Sequence, residues 1–329
     1  MKTKIYITRK LPRQIIEKLE NRFEVRMWGE ENIPVPRSVL EKEVAEAEGL
    51  LCLLTESVDE SLFEKAPNLK IVSNMAVGYN NIDVDVASKR GIMITNTPGV
   101  LTETTADLTF ALLLATARRL VESSDYLRNG QWKTWSPMQL TGQDIFGATL
   151  GIIGLGRIGE AVAKRAKGFD MNVLYHNRSR KPEAEKSLGI TYYEFDDLLK
   201  ESDYICIMTP YTPETINLID KDQFALMKEN AILINTARGG IVNEEALYEA
   251  LTNRQIWGAG LDVFEKEPIS LDNPLLTLSN VVVLPHIGSA SIATRLKMGH
   301  LAANNLIAGL ENTIPEHLVN PEIKFNNIK

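Results

Sequence analysis

The chain has 329 residues, 44% hydrophobic and 24% charged, a composition of globular proteins and not of disordered or fibrous ones. At about 150 residues per domain, two domains are expected. A formal net charge of −7 offers no broad basic surface to a phosphate backbone, so no nucleic-acid partner is expected.

The opening MKTKIYITRK is basic, but its apolar part is interrupted at Arg9 before an export-signal core could form, and the mature chain is expected to begin at Met1. The longest apolar stretch, 108–117, stops at Arg118-Arg119, well short of the roughly 18 residues that a membrane span needs. Cys52 and Cys206 lie in the apolar runs GLLCLL and YICIM and read as buried thiols, which places the chain in a reducing cytoplasm.

Short runs rich in β-branched residues alternate with helical patterns, the signature of parallel sheets covered by helices. Strands are expected at 4–8, 23–28, 49–54, 69–74 and 92–96, then at 149–154, 172–176, 204–209, 231–236, 258–263 and 281–285. Two doubly wound α/β units of Rossmann or flavodoxin type follow, with the active-site cleft expected between them. Between the two series one long helix is expected over 102–129, burying Leu108, Leu112, Ala115 and Leu120 and bridging the domains. A last helix over 289–311 returns to the first unit, and 324–329 reads as a loose tail. The expected division is therefore 1–99 with 289–329 as the substrate domain, and 100–288 as the dinucleotide-binding domain.

In TLGIIGLGRIGEAVAKRA, Gly154, Gly156 and Gly159 have G-x-G-x-x-G spacing after an apolar strand and at the start of an amphipathic helix. The first glycine allows the tight turn, the second lets a pyrophosphate approach the backbone, and the third lets helix and strand pack closely. The acidic residue that would bind an unphosphorylated ribose is missing: Asn177 stands eighteen residues after Gly159, and no Asp or Glu occurs over 171–182. Asn177, Arg178, Ser179, Arg180 and Lys181 supply donors and positive charge instead, which favours NADP(H) and leaves NAD(H) as the second cofactor.

Three further segments end strands: ILINTARGGIVNEEAL around Arg238, GLDVFEKEP around Glu267 and VVVLPHIGSAS around His286. With the glycine motif they make nearly the whole chain resemble the D-isomer-specific 2-hydroxyacid dehydrogenases. NMAVGYNNID, TNTPGVLTETTADLTFALLL and the W-x-x-W of QWKTWSP resemble the glyoxylate/hydroxypyruvate reductase branch. The resemblance implies NADPH-dependent reduction of glyoxylate and hydroxypyruvate, with 2-ketogluconate a further candidate, to D-2-hydroxy acids. It makes His286 the general acid, Glu267 the partner that keeps the ring charged, and Arg238 the fork for the substrate carboxylate. It also implies substrate contacts from the Val77 and Gly78 amides, and a homodimer in which the loop of Trp132 and Trp135 reaches the neighbouring subunit's cleft, where Trp135 either narrows the substrate pocket or serves dimer packing alone. Further cofactor contacts implied by position are Leu155, Arg157, Ile158, Thr209, Pro210, Thr236, Ala237, Asp262 and Gly288, with Arg238 and His286 at the nicotinamide side; no metal is expected. Competing readings are an NAD-dependent phosphoglycerate-type dehydrogenase and a dinucleotide-sensing protein similar to the C-terminal-binding corepressors.

Overall fold

The computed structural model describes residues 2–323, and the expected tail at 324–329 lies outside the described residues. Two compact units divide the chain, Met1–Leu101 with Ser291–Lys329, and Thr102–Ala290.

In the first unit β1 (Lys4–Ile7), β2 (Glu24–Met27), β3 (Gly49–Cys52), β4 (Ile71–Asn74) and β5 (Met93–Thr95) form one parallel sheet in the order β2-β1-β3-β4-β5. β3 and β4 are buried along their whole length, as central parallel strands covered on both faces must be. The helix Ile292–Leu310, capped by the Ser291 hydroxyl, covers β3, β4 and β5, and the Ser73 hydroxyl donates to its Ala302 carbonyl at 2.8 Å.

The second unit holds β6 (Thr149–Ile153), β7 (Asn172–His176), β8 (Thr191–Tyr192), β9 (Tyr204–Ile207), β10 (Ile232–Asn235), β11 (Gly258–Leu261) and β12 (Val281–Val283). They form a parallel sheet in the order β12-β11-β10-β9-β6-β7-β8. Strand alternation feeds two apolar layers, one on each face: Tyr204, Cys206, Ile232 and Ile234 enter one, while Ile205, Ile207 and Leu233 enter the other. Chain order reverses on either side of β6, which places a switch point at the C-terminal ends of β6 and β9.

Both cysteines are free and buried, and burial pushes the Cys206 thiol up to about 12. No helix among the described residues is long and apolar enough to cross a membrane.

One expectation needs correction, and one element was not foreseen. The 102–129 pattern is two helices, Thr102–Ala117 and Leu120–Arg128. The Ala117 carbonyl accepts from the Gln143 N–H at 2.9 Å, and Arg119 turns left-handed at φ 52° while its guanidinium pairs with Glu122. The chain therefore leaves the first helical axis before Leu120, which is 54% exposed and is not part of the buried stripe. The first of these helices belongs to the second unit, packed on β10, β11 and the helix Arg157–Ala166. The unforeseen element is β8, a two-residue edge strand beside β7 that no apolar run announces.

Candidate active site

The glycine turn opens directly from β6. Gly154 has φ +97°, and a Cβ there would sit 2.7 Å from the Thr209 nitrogen, so only glycine lets the turn pass the end of β9. A Cβ on Gly159 would meet the Gly154 carbonyl oxygen at 2.5 Å, whereas one on Gly156 would point into open space. Gly156 caps the helix Arg157–Ala166, whose first-turn N–H groups have no intrahelical acceptor. Together these features fit a pyrophosphate: the second glycine faces open space, and the helix start supplies amides with the positive end of the dipole. Leu155 is buried behind the turn, and Thr209 and Pro210 follow β9 at its mouth.

After β7 the Asn177 side chain donates to the Ser179 carbonyl at 3.0 Å, which curls the basic loop. The three cations there differ. Arg180 is bidentate to Glu185 at 2.8 Å, and Lys181 pairs with Glu160 at 3.0 Å. Arg178 is exposed and acts on the Glu214 carboxylate through its charge, without a hydrogen bond or close ion pair among the described residues. Arg178 is thus the cation that could receive another anion without breaking an existing pair.

Arg238, Glu267 and His286 stand on loops after β10, β11 and β12. The turn after β10 is closed by Asn235, whose side chain accepts from the Ala237 N–H at 3.1 Å and donates to the Arg238 carbonyl at 2.9 Å. Gly239 then runs against the Phe264-Glu265 peptide so closely that a Cβ would lie 1.8 Å from the Phe264 oxygen, which brings the Arg238 loop onto the Glu267 loop. Glu267 Oε1 accepts from the Phe264 N–H at 3.1 Å, and its Oε2 meets His286 Nδ1 at 2.6 Å. A carboxylate has no proton to give, so Nδ1 is the donor and Nε2 is left facing away from Glu267. Burial pushes the Glu267 carboxyl up, but the His286 hydrogen bond and charge, the Phe264 N–H and Arg238 together hold it below the usual carboxylate value. Burial lowers the Arg238 guanidinium, opposed by Glu267. Its Nη1 also donates to the Ala237 carbonyl at 2.7 Å.

His286 adopts φ +56°, a left-handed conformation that costs a non-glycine residue about 1–2 kcal/mol. The fully buried Asp262 holds it there, its two oxygens accepting from the Ile287 and Gly288 N–H groups at 2.8 and 2.7 Å. Both oxygens of Asp262 thereby serve the histidine loop. Thr236 is buried with its hydroxyl 2.7 Å from that of Thr109. Sequence reasoning did not find Asn235, Gly239 or the Phe264 amide, since Asn235 works by gripping backbone groups of its own turn and the other two work through backbone alone; the Asn-x-x-Arg-Gly spacing after β10 was the available signal. Among the described residues no group of His, Cys, Asp and Glu could hold a metal ion.

In the first unit Val77 and Gly78 follow β4, half-buried. In the second, Trp132 and Trp135 are 56% and 77% exposed, and Leu127 and Met138, close to them along the chain, are exposed too.

Residues 110–288 match the family model described as the D-isomer specific 2-hydroxyacid dehydrogenase NAD binding domain. The chain is 51% identical over 324 residues to a glyoxylate reductase of Korarchaeum cryptofilum, covering 98% of this chain and 97% of that one. A solved protein of Thermus thermophilus is 44% identical with a TM-score of 0.90, covering 96% of this chain and all of that one. A Sinorhizobium meliloti NADPH-dependent glyoxylate/hydroxypyruvate reductase, solved in complex with NADP and malonate, is 34% identical with a TM-score of 0.84 over the full length of both chains.

Proposed function

The chain belongs to the D-isomer-specific 2-hydroxyacid dehydrogenases and is an NAD(P)-dependent enzyme of 2-oxo acid reduction; on that premise we propose that glyoxylate and hydroxypyruvate are its substrates and NADPH its preferred reductant. The observation that carries the reading is the 2.6 Å Glu267–His286 pair, with Arg238 electrostatically coupled to it and the glycine turn in the same unit.

When bound, the reduced nicotinamide supplies the hydride. The chain's own residues bind, orient and protonate. Arg238 presents a planar fork to the substrate carboxylate and a positive charge beside the carbonyl oxygen, where negative charge develops. His286, its Nδ1 fixed by Glu267, gives a proton from Nε2 to that oxygen. A small 2-oxo acid carries both features that these groups address.

NADPH preference rests on Arg178. It is the cation of the loop that no close ion pair holds, its charge acting only at longer range on Glu214, and a charge-assisted bond to a 2′-phosphate is worth about 1.5–3 kcal/mol, or roughly tenfold or more in affinity. Arg178→Ala should lower kcat/KM for NADPH by about that factor while leaving NADH within about twofold. The decisive assay follows oxidation of both cofactors with glyoxylate and hydroxypyruvate. Absence of turnover with tight cofactor binding would favour the sensor reading; turnover with equal use of both cofactors would remove the phosphate argument alone.

We also propose a homodimer, supported by the exposed apolar side chains of Leu127, Trp132, Trp135 and Met138. Sedimentation as a monomer at micromolar concentration would reject it.

A further inference from the structure

The loop after β4 in the first unit is tied back to the sheet by three successive carbonyls. The Ala76 carbonyl accepts from the Thr97 N–H at 2.9 Å, the Val77 carbonyl from Asn96 Nδ2 at 2.8 Å, and the Gly78 carbonyl from Asn74 Nδ2 at 3.0 Å. In a trans peptide the N–H points opposite to the C=O of the same unit. Fixing these three carbonyls therefore directs each of the N–H groups of Val77, Gly78 and Tyr79 away from the donor that holds its own unit, and none of the three has an acceptor among the described residues. Consecutive outward amides form a concavity that favours an anion.

The donors are themselves held. Asn74 is fully buried at the end of β4, where its oxygen faces the Cys52 thiol at 3.7 Å and its amide also reaches Asn81. Asn96 follows β5, and its own carbonyl accepts from the buried Asn305 side chain at 3.1 Å. Nothing in the apolar packing of the sheet ends requires a carboxamide at either position. What each supplies is an N–H donor aimed at a loop carbonyl.

We propose that Asn74 and Asn96 are positioning residues that shape the 77–79 backbone into a carboxylate nest, in which the Tyr79 amide acts as a third donor beside those of Val77 and Gly78. This rests on the 2-oxo acid reading above. Asn96→Asp keeps the shape but replaces the donor by an acceptor facing the Val77 carbonyl, which must rotate away. It should raise KM for glyoxylate and Kd for oxalate by about tenfold, with kcat within about twofold and NADPH affinity unchanged. Asn74→Asp should act in the same direction. A residue that merely supports the fold would lower the melting temperature without this split between KM and kcat.

Amide resonances of the unmodified protein provide a test that needs no variant. Oxalate, with chloride at equal ionic strength as the control, should shift the Val77, Gly78 and Tyr79 N–H signals. Unmoved signals, or a folded Asn96→Asp with unaltered KM, would overturn the proposal. A wild type that reduces no 2-oxo acid would sink the functional reading instead, and the amide shifts would still decide the nest.

Discussion

Replacing Glu267 by glutamine tests the core of the site with almost no change of shape. One oxygen of Glu267 takes the Phe264 N–H at 3.1 Å and the other takes His286 Nδ1 at 2.6 Å. A glutamine can satisfy only one of these as an acceptor. Turning its NH₂ toward Phe264 would set two donors against each other beside half-buried backbone, so the oxygen stays there and the NH₂ faces His286. Nδ1 must then accept, which removes the partner of a charged imidazole. A hydrogen bond to a charged group is worth about 1.5–3 kcal/mol, and each 1.4 kcal/mol is tenfold, so proton donation should weaken by roughly 10- to 150-fold. The assay is kcat/KM for glyoxylate, with the NADPH dissociation constant and the melting temperature measured alongside. kcat/KM should fall by that factor while NADPH affinity and the melting temperature hold. A matching fall in the melting temperature would mean that Glu267 acts through packing alone, and no loss of kcat/KM would refute the assignment.

Asp262→Asn leaves one of the Ile287 and Gly288 N–H groups facing a donor, at a cost of about 1–3 kcal/mol, so the denaturation midpoint and turnover should fall together; a variant as stable and active as wild type would deny Asp262 its hold on the histidine loop. Gly239→Ala forces a Cβ to 1.8 Å from the Phe264 oxygen, which only backbone movement can relieve; a loss of about 1–3 kcal/mol in chemical denaturation and a large fall in kcat are expected. Glu185 is held at about 2, first by the Arg180 hydrogen bond and then by Tyr175, against an ordinary value of 4.5. A lowered carboxyl stabilises the fold above its unfolded value and loses that contribution as pH falls from 4.5 toward 2. Arg180→Ala should therefore lower the melting temperature at neutral pH, with the difference closing in acid; a constant difference would place the effect outside the ion pair.

The strands were legible because central parallel strands are buried on both faces and read as unbroken apolar runs, as in YICI over β9 and ILIN over β10. β8 was not, because an edge pair of two residues, one of them exposed, carries no such run. The break at Arg119 escaped for a different reason: helix propensity continues through it, and the competing partner of the Ala117 carbonyl is Gln143, supplied by a distant part of the chain. At the candidate site the same line separates what could be read. Arg238, Glu267 and His286 are side chains with unusual chemistry at strand ends, whereas Phe264, Ile287 and Gly288 contribute backbone amides, which the identity of the side chain does not announce. Among Arg178, Arg180 and Lys181 sequence alone made no distinction, since the carboxylates of Glu185 and Glu160 become partners only after folding.

Both units solve one problem in the same way. A loop leaving the C-terminal end of a buried strand carries polar backbone groups that neither the sheet nor the apolar layers can satisfy. In the first unit Asn74 and Asn96 donate to loop carbonyls; in the second Asn235 bridges its own turn and Asp262 accepts from two loop amides. The choice of residue follows from what must be left exposed. Where carbonyls are tied down by a carboxamide, amides are presented, and the result is receptive to an anion. Where amides are tied down by a carboxylate, the neighbouring side chain is presented instead, and at His286 that side chain is held in a backbone conformation it would not otherwise adopt. An Asp at position 96 and an Asn at position 262 would each invert that logic, which is why substitutions of nearly identical size are expected to alter substrate affinity in one unit and the placement of the proton donor in the other.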